Sequence, residues 1–516
     1  MRNLFILTKV QFLSFFKLNK ILKNKGGKKA LSLSGTALVL LLLAGLIFGA
    51  GYLYSGIFAE LYILTGEIYK LIPLMLAISV VASFILSFYS AGSLYDFKDY
   101  ELLCSMPIKT HEIVLSRIIF SYIADFSFTL LLVVPSVIVY SKFAPFALMD
   151  GVRLFVMTLF TPFFAICLSL LIGLIVSFIS SFFNKKSMVQ TVVMLAIFVA
   201  FFVYSYSLGM DENPFAVLEY VYVFFPWIIN GILEWKYVLL FSGVSTGTFF
   251  AFVLAVSLTY KKINTMLTGR RTKSNFRLKG DYRGKSAFNA LYRKEIKTLF
   301  SYSIYAMNSL IGVVMTVGMS LLISIAIGSL QAEGISELLV FAPLIFTVCL
   351  LMSPTTYCSI SMESQSFWII KTAPVPAKTL FNAKLAVNMT FAIPSALISS
   401  LALCIGFKAQ AIVYLLLVAI ALLLAVLGSY SGLIFNLLFP VMKWESPNKV
   451  VKQSTSIIMC ILESFVLAGG LFAFIYFVNV GMVVKLACIL GLLIVLTVLA
   501  YLIVDKKGER LLINKT

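Results

Sequence analysis

Long apolar runs separated by short polar turns organise this chain. Leu31 to Tyr54 is uncharged and Leu-rich, and further apolar runs follow at 71–94, 113–140, 154–183, 188–208 and 237–260. A second series occupies 303–329, 338–361, 384–406, 411–441, 454–479 and 482–504. These lengths suit the ~20 residues that a helix needs to cross the hydrocarbon core, and the pattern predicts an all-α polytopic membrane protein of about twelve transmembrane helices. Nothing alternates apolar and polar residues over strand-length segments, which argues against a membrane barrel. The runs at 154–183 and 411–441 are longer than a crossing requires, so each should tilt or carry an interfacial turn.

The turns repeat as well as the runs. Tyr95 to Arg117 (YDFKDYELLCSMPIKTHEIVLSR) separates the second and third runs, and Ser361 to Lys384 (SMESQSFWIIKTAPVPAKTLFNAK) holds the same place in the second series. With Pro107 set on Pro374, Asp96 falls on Glu363, Tyr100 on Phe367, Leu102 and Leu103 on Ile369 and Ile370, Ile108 on Val375, and Arg117 on Lys384. Each stretch reads as an acidic lead-in, a short amphipathic helix, a proline corner and a basic residue opening the next run. The segment 291–300 (LYRKEIKTLF) likewise parallels 4–13 (LFILTKVQFL) as an amphipathic entry helix. The expectation is two parallel six-helix repeats, related by an axis along the membrane normal. The first half would span 1–260, a basic linker with the second entry helix 261–297, and the second half 298–516. The halves differ at one place. Residues 210–236 open on Asn213-Pro214, run apolar to Phe225, stop at Pro226 and carry Trp227 and Trp235 as interface anchors, which predicts a re-entrant or interfacial helix. The second half has only the tight connection Asn479-Val480-Gly481 there.

Composition agrees, with 61% hydrophobic and 12% charged residues and a mean hydropathy of +1.02. The net charge of +20 is unevenly placed: of 41 Lys and Arg residues, only Lys70, Lys142, Arg153, Lys236, Lys408 and Lys485 fall on one side of the expected topology. Loops rich in Lys and Arg stay in the cytoplasm. Both termini and both Pro-centred turns are therefore expected to be cytoplasmic, in a multi-pass protein of the plasma membrane. Basic loops of this kind meet anionic lipid headgroups, so membrane lipids, and no nucleic acid, are the expected partners. The N-terminus has no cleavable signal pattern.

Candidate chemistry is sparse. The seven cysteines form no CxxC pair and His111 is the single histidine, which leaves no metal cluster to build. Gly280 to Ser286 (GDYRGKS) imitates a phosphate loop, but it has three residues between its glycines and a basic lead-in where four residues and an apolar strand are needed. The chain is thus expected to bind no cofactor and to be no enzyme, and no loop could hold a ~100-residue catalytic domain. Asp125 and Glu463 are the acids well inside apolar runs. They are either proton-exchanging groups or carboxyls hydrogen-bonded between helices. Leu427 to Gly432 (LGSYSG) is small enough for close helix packing, with a substrate-path lining as the alternative.

The stretch DFKDYELLCSMPIKTHEIVLSR resembles the segment between the second and third spans of ABC-2-type exporter permeases, where Leu-Leu, Ser, Pro-Ile and a later Ile and Ser before a basic residue recur. Span number, cytoplasmic termini and the re-entrant element are similar too. The resemblance covers the whole chain as two fused copies, as in the large putative ABC exporters of Gram-positive bacteria. It implies that the segment is a coupling helix seated in a cleft of an ATPase subunit. The first copy would use Asp99, Glu101, Leu102, Leu103, Met106, Pro107, Ile108 and Lys109. The second would use Trp368, Ile369, Ile370, Lys371, Pro374, Val375, Pro376 and Ala377, where Lys371 and Pro376 depart from the first and imply unequal docking. The implied partners are two copies of a cytoplasmic ABC ATPase, which would supply ATP and Mg, and a transported substrate. The implied function is the permease subunit of an ATP-driven exporter of a peptide, drug or lipid-like substrate. The alternatives are a proton-coupled secondary carrier using Asp125 and Glu463, and a non-transporting membrane scaffold or sensor.

Overall fold

The computed structural model describes residues 2–15, 105–183, 186–209, 225–269, 286–328, 335–372, 374–444 and 447–515, with an interrupted stretch over 41–91. Among these residues every regular element is a helix. In chain order they are α1 (Arg2–Phe15), α2 (Leu71–Ala91), α3 (Thr110–Tyr140), α4 (Leu148–Ser181), α5 (Lys186–Gly209), α6 (Phe225–Leu233), α7 (Trp235–Gly269), α8 (Ala287–Ser301) and α9 (Ser303–Gly328). Then come α10 (Ala342–Leu351), α11 (Thr356–Met362), α12 (Phe367–Thr372), α13 (Ala377–Gly406), α14 (Ala411–Leu438), α15 (Pro447–Val451), α16 (Thr455–Phe477) and α17 (Met482–Lys515). Nine helical segments among the described residues are long and apolar enough to cross a membrane. Of the first run, Leu31 to Tyr54, residues 31–40, 42, 43 and 46 lie outside the described residues.

The chain forms two compact units, Met1–Asn184 with Asp211–Thr272, and Lys185–Met210 with Lys273–Thr516. Helix α5, which chain order puts in the first half, belongs to the second unit, where it packs on α8 and α9.

In the first unit α2 packs on α3 and α4 around Ile72, Leu76, Val133, Met157 and Phe241. A second cluster joins α3, α4 and α7 through Ile113, Ile118, Ile166, Phe249 and Val253, with the Phe163 and Phe249 rings stacked at 4.3 Å. Two details differ from the hydropathy reading. Asp150 and Arg153 are not in a loop but in the first turns of α4, because the Asp150 carboxylate accepts a 3.1 Å bond from the Ala147 N–H and caps the helix. Pro226, read as a stop, lies inside a helix. It sits in the first turn of α6, where a missing N–H costs no hydrogen bond. The preceding residues 210–224 lie outside the described ones.

In the second unit α14 is central, packing on α10, α11, α13, α16 and α17. Its buried face supplies Leu417, Ala421, Leu424 and Leu427 to a core completed by Phe346, Leu350, Leu486 and Leu493. The run read as one helix over 338–361 is discontinuous: a 3₁₀ turn (Ile335–Phe341), then α10, then a break at 352–355, then α11. Pro354 is the cause, since it lacks an N–H and disfavours helix in the residue before it. The break persists because its polar groups are answered. The Thr355 N–H donates to Asn388 Oδ1 at 2.6 Å, the Tyr305 hydroxyl to Thr355 O at 2.7 Å, and the Thr356 hydroxyl to Ser429 O at 2.8 Å. Non-helical backbone at membrane depth survives only when buried in protein in this way. Gly432 allows the contact: a Cβ there would lie 2.5 Å from Thr356 Oγ1 and 2.7 Å from Pro354 Cγ. The LGSYSG stretch is thus a packing surface at this point.

Candidate functional site at the Pro374 turn

After the broken span the chain makes its second Pro-centred turn. Helix α11 stops at Met362, a 3₁₀ turn covers Ser364–Ser366, and α12 follows. Neighbouring residues of α12 point in different directions. Phe367 is buried among Leu380, Phe381, Leu385, Leu433 and Leu437. Trp368 and Ile369 are 65% and 52% exposed. One aromatic anchors the helix while the next two apolar residues face outward. Pro374 and Pro376 are exposed, Val375 is half-buried, and Pro376 is the extended residue from which α13 starts at Ala377. Ile370 and Lys371 belong to α12.

Behind this helix lies a cluster of charges. Lys384, in the second turn of α13, is 1% exposed. Its ammonium donates to Glu295 Oε1 of α8 at 2.8 Å, to Glu363 Oε2 at 2.9 Å and to Ser359 O at 3.3 Å. The other Glu363 oxygen pairs with Lys294, which reaches solvent. Two acids and two bases balance, and the buried ammonium has three oxygen partners, as a charge in low dielectric requires. Burial opposes ionisation of Glu363, but Lys384, Glu295 and Lys294 together hold its carboxyl below the usual range. For Glu295 burial dominates and the nearby Glu363 adds to it, so its carboxyl is pushed up despite Lys384.

A second, neutral network fixes the backbone beside the cluster. Asn436 Oδ1 accepts from the N–H groups of Ile360 (2.8 Å) and Ser361 (3.2 Å), and its amide donates to the Ser361 hydroxyl at 2.8 Å. The Trp444 indole N–H donates to Ser361 O at 2.8 Å. Helix α12 is therefore continuous, through a few rigid bonds, with α8, α13 and the end of α14.

The repeat alignment marked Glu363 and Lys384 as separate landmarks, and the structure joins them in one ion pair. Glu295 and Lys294 were not singled out. The available signal was that Glu295 is the lone acid of an otherwise basic entry helix.

At the first Pro-centred turn, Asp99, Glu101, Leu102 and Leu103 lie outside the described residues. Met106, Pro107 and Lys109 are exposed, and Ile108 packs beneath them against the α3–α4–α7 cluster. Glu112 accepts from the Lys109 N–H at 3.4 Å as α3 begins. Arg117, the counterpart of Lys384, is half-buried on α3, and its acidic counterpart Asp96 is outside the described residues.

The two intramembrane acids have different settings. Asp125 on α3 is buried and accepts a hydrogen bond from the Ser87 hydroxyl of α2. Glu463 on α16 borders a cavity of the second unit.

A family model described as "Membrane protein of 12 TMs" matches residues 28–504. No curated protein and no solved structure matches the chain.

Proposed function

The chain belongs to that family of twelve-span membrane proteins, and from this premise we propose that it is the permease subunit of an ATP-driven exporter. In this reading the two Pro-centred turns are cytoplasmic, as are both termini, and the protein resides in the plasma membrane. Two copies of a separate ATPase seat on the turns and bring the ATP and Mg. This chain hydrolyses nothing itself and moves a peptide, drug or lipid-like substrate outward.

The observation that supports it best is the construction of α12. An exposed Trp-Ile pair is costly to leave in water and suits an apolar cleft on a partner. Phe367 and the Glu363–Lys384–Glu295 cluster tie that pair to two membrane-associated helices. A push on Trp368 would therefore reach α8 and α13 without being absorbed by a loose loop. ATP can drive such a change only by binding one state of the assembly better than the other.

The test is co-purification of the full chain in lipid with its candidate ATPase, and the ATPase rate of the complex. Trp368→Glu with Ile369→Glu should release the partner or uncouple hydrolysis, because both side chains are exposed and their replacement leaves the bundle intact. Unchanged binding and rate in the double variant, or no ATPase bound to the wild type, would remove the docking argument.

A further inference from the structure

The second unit contains a cavity of about 690 Å³ between α14, α16 and α17. Its wall is built from residues such as Leu427, Leu467, Phe474, Ile489 and Leu496, and the polar side chains on it are Ser431, Glu463 and the thiol of Cys488. Its rim residues Val466 and Leu499 are 73% and 51% exposed, so the cavity opens sideways along the helices. Its size falls in the range of drug-sized pockets, about 300–1,000 Å³.

Glu463 is the unusual member of this wall. It lies eight residues inside α16, roughly 12 Å from the helix start at a rise of 1.5 Å per residue. Ser431 lies at a similar depth, seven residues before the end of α14. Both belong to spans, so the carboxyl is placed in the hydrocarbon layer. Glu463 Oε2 is buried and has no hydrogen-bond partner among the described residues. An anion in such a place is unstable unless something neutralises it. The described part of the wall offers no Lys or Arg to do so.

We propose that this cavity is a binding site for a lipophilic cation, an organic amine or phosphonium whose apolar body fills the cavity and whose positive charge meets Glu463. Two properties of the wall select that ligand. The apolar lining and lateral opening favour molecules that already partition into the membrane. The single carboxyl, hydrogen-bonded to Ser431 but with Oε2 unpartnered and no cation in the described wall, favours a positive charge over a neutral molecule of equal size. A polar cation would lose its hydration without compensation, and an anion would be repelled.

The experiment uses the full chain in lipid nanodiscs without any ATPase, so its outcome is independent of the exporter reading. Radiolabelled tetraphenylphosphonium, whose charge cannot be titrated away, is the probe, and triphenylmethanol is a neutral competitor. Saturable binding is expected, with weak displacement by the neutral molecule. Glu463→Gln should weaken binding about tenfold or more, the loss expected for one charge-assisted contact. Leu467→Trp should block the cavity and remove binding, while Asp125→Asn, in the other unit, should leave it unchanged. The absence of saturable binding in the wild type would overturn the proposal. So would equal affinity in Glu463→Gln, or equal displacement by triphenylmethanol, which would identify a groove for lipid chains. The wild-type competition needs no variant and decides the question even if Glu463→Gln does not fold.

Discussion

Lys384 and the Glu463 carboxyl oxygen Oε2 are both withdrawn from solvent within the second unit, in opposite company. Lys384 has Glu295, Glu363 and a backbone carbonyl within hydrogen-bond reach. The Glu463 carboxyl has Ser431 and otherwise a wall of Leu, Ile and Phe, with Oε2 unpartnered among the described residues. A fully answered charge holds elements in fixed positions, because moving any one of them leaves another charge bare. A carboxyl with no opposite charge beside it adds little stability and gains most from a cation that arrives. The first arrangement suits a mechanical link and the second a ligand site. Asp125 resembles Glu463, with one serine hydroxyl donated to it.

The comparison is broken most directly at Lys384. Lys384→Met leaves the buried carboxyl groups of Glu295 and Glu363 without their shared cation, and a loss of about 3–5 kcal/mol is expected. It would be read as a large fall in the melting temperature of the detergent-solubilised protein. An unchanged melting temperature would mean that the cluster is not the rigid link described above.

The two acids of the cluster should then separate by pH. The Glu363 carboxyl is held below its ordinary value of 4.5 in the folded protein. Its contribution is thus fully present above that value and disappears as the pH falls toward about 2. Glu295 is raised from 4.5 to about 8, so the fold favours its protonated form, and that stability is fully present below 4.5 and lost as the pH rises to about 8. At neutral pH Glu363→Gln should cost about 1–3 kcal/mol, the usual loss for a charged hydrogen-bonded partner. Glu295→Gln should cost less and should flatten the decline between pH 4.5 and about 8. Thermal unfolding between about pH 2 and 9 for the wild type and both variants measures this. A larger loss from Glu295→Gln would reverse the roles.

A smaller effect is expected at Asp125. The amide of Asp125→Asn can still accept from Ser87, so stability should change by less than about 1 kcal/mol, with export retained. Export abolished by this one substitution in a stable protein would favour the proton-coupled carrier. The smallest effect is expected for Glu463→Gln without ligand, within about 0.5 kcal/mol of wild type in the same unfolding assay. A large destabilisation there would give Glu463 a structural role and dissolve the contrast with Lys384.

Much of the helical framework was legible in the chain. The apolar runs at 113–140, 188–208 and 411–441 correspond to α3, α5 and α14 within a few residues. The polar ends were less so. Asp150 looked like a loop residue because hydropathy ignores capping, and the break at Pro354 was hidden because its flanks are as apolar as the rest of the run. Of the second turn, the repeat pointed to Phe367, Ile369 and Ile370, and the resemblance added Trp368, without telling which face inward. Packing against Leu380 and Leu433 settles that Phe367 is the anchor.

What the chain determined alone is local: segment lengths, hydropathy and the Pro-centred turns are enough for an all-helical protein of many spans, because each membrane helix must satisfy its own backbone. What only the tertiary structure decided is which distant polar groups meet. Glu295 and Lys384 are separated by 89 residues, and no periodicity relates an entry helix to the second turn of a later span. They pair because α8, α11 and α13 close around one point where a lone charge would be untenable. The Glu463 cavity has the same origin: three apolar helices that look alike in sequence leave a gap only where their side chains fail to interdigitate.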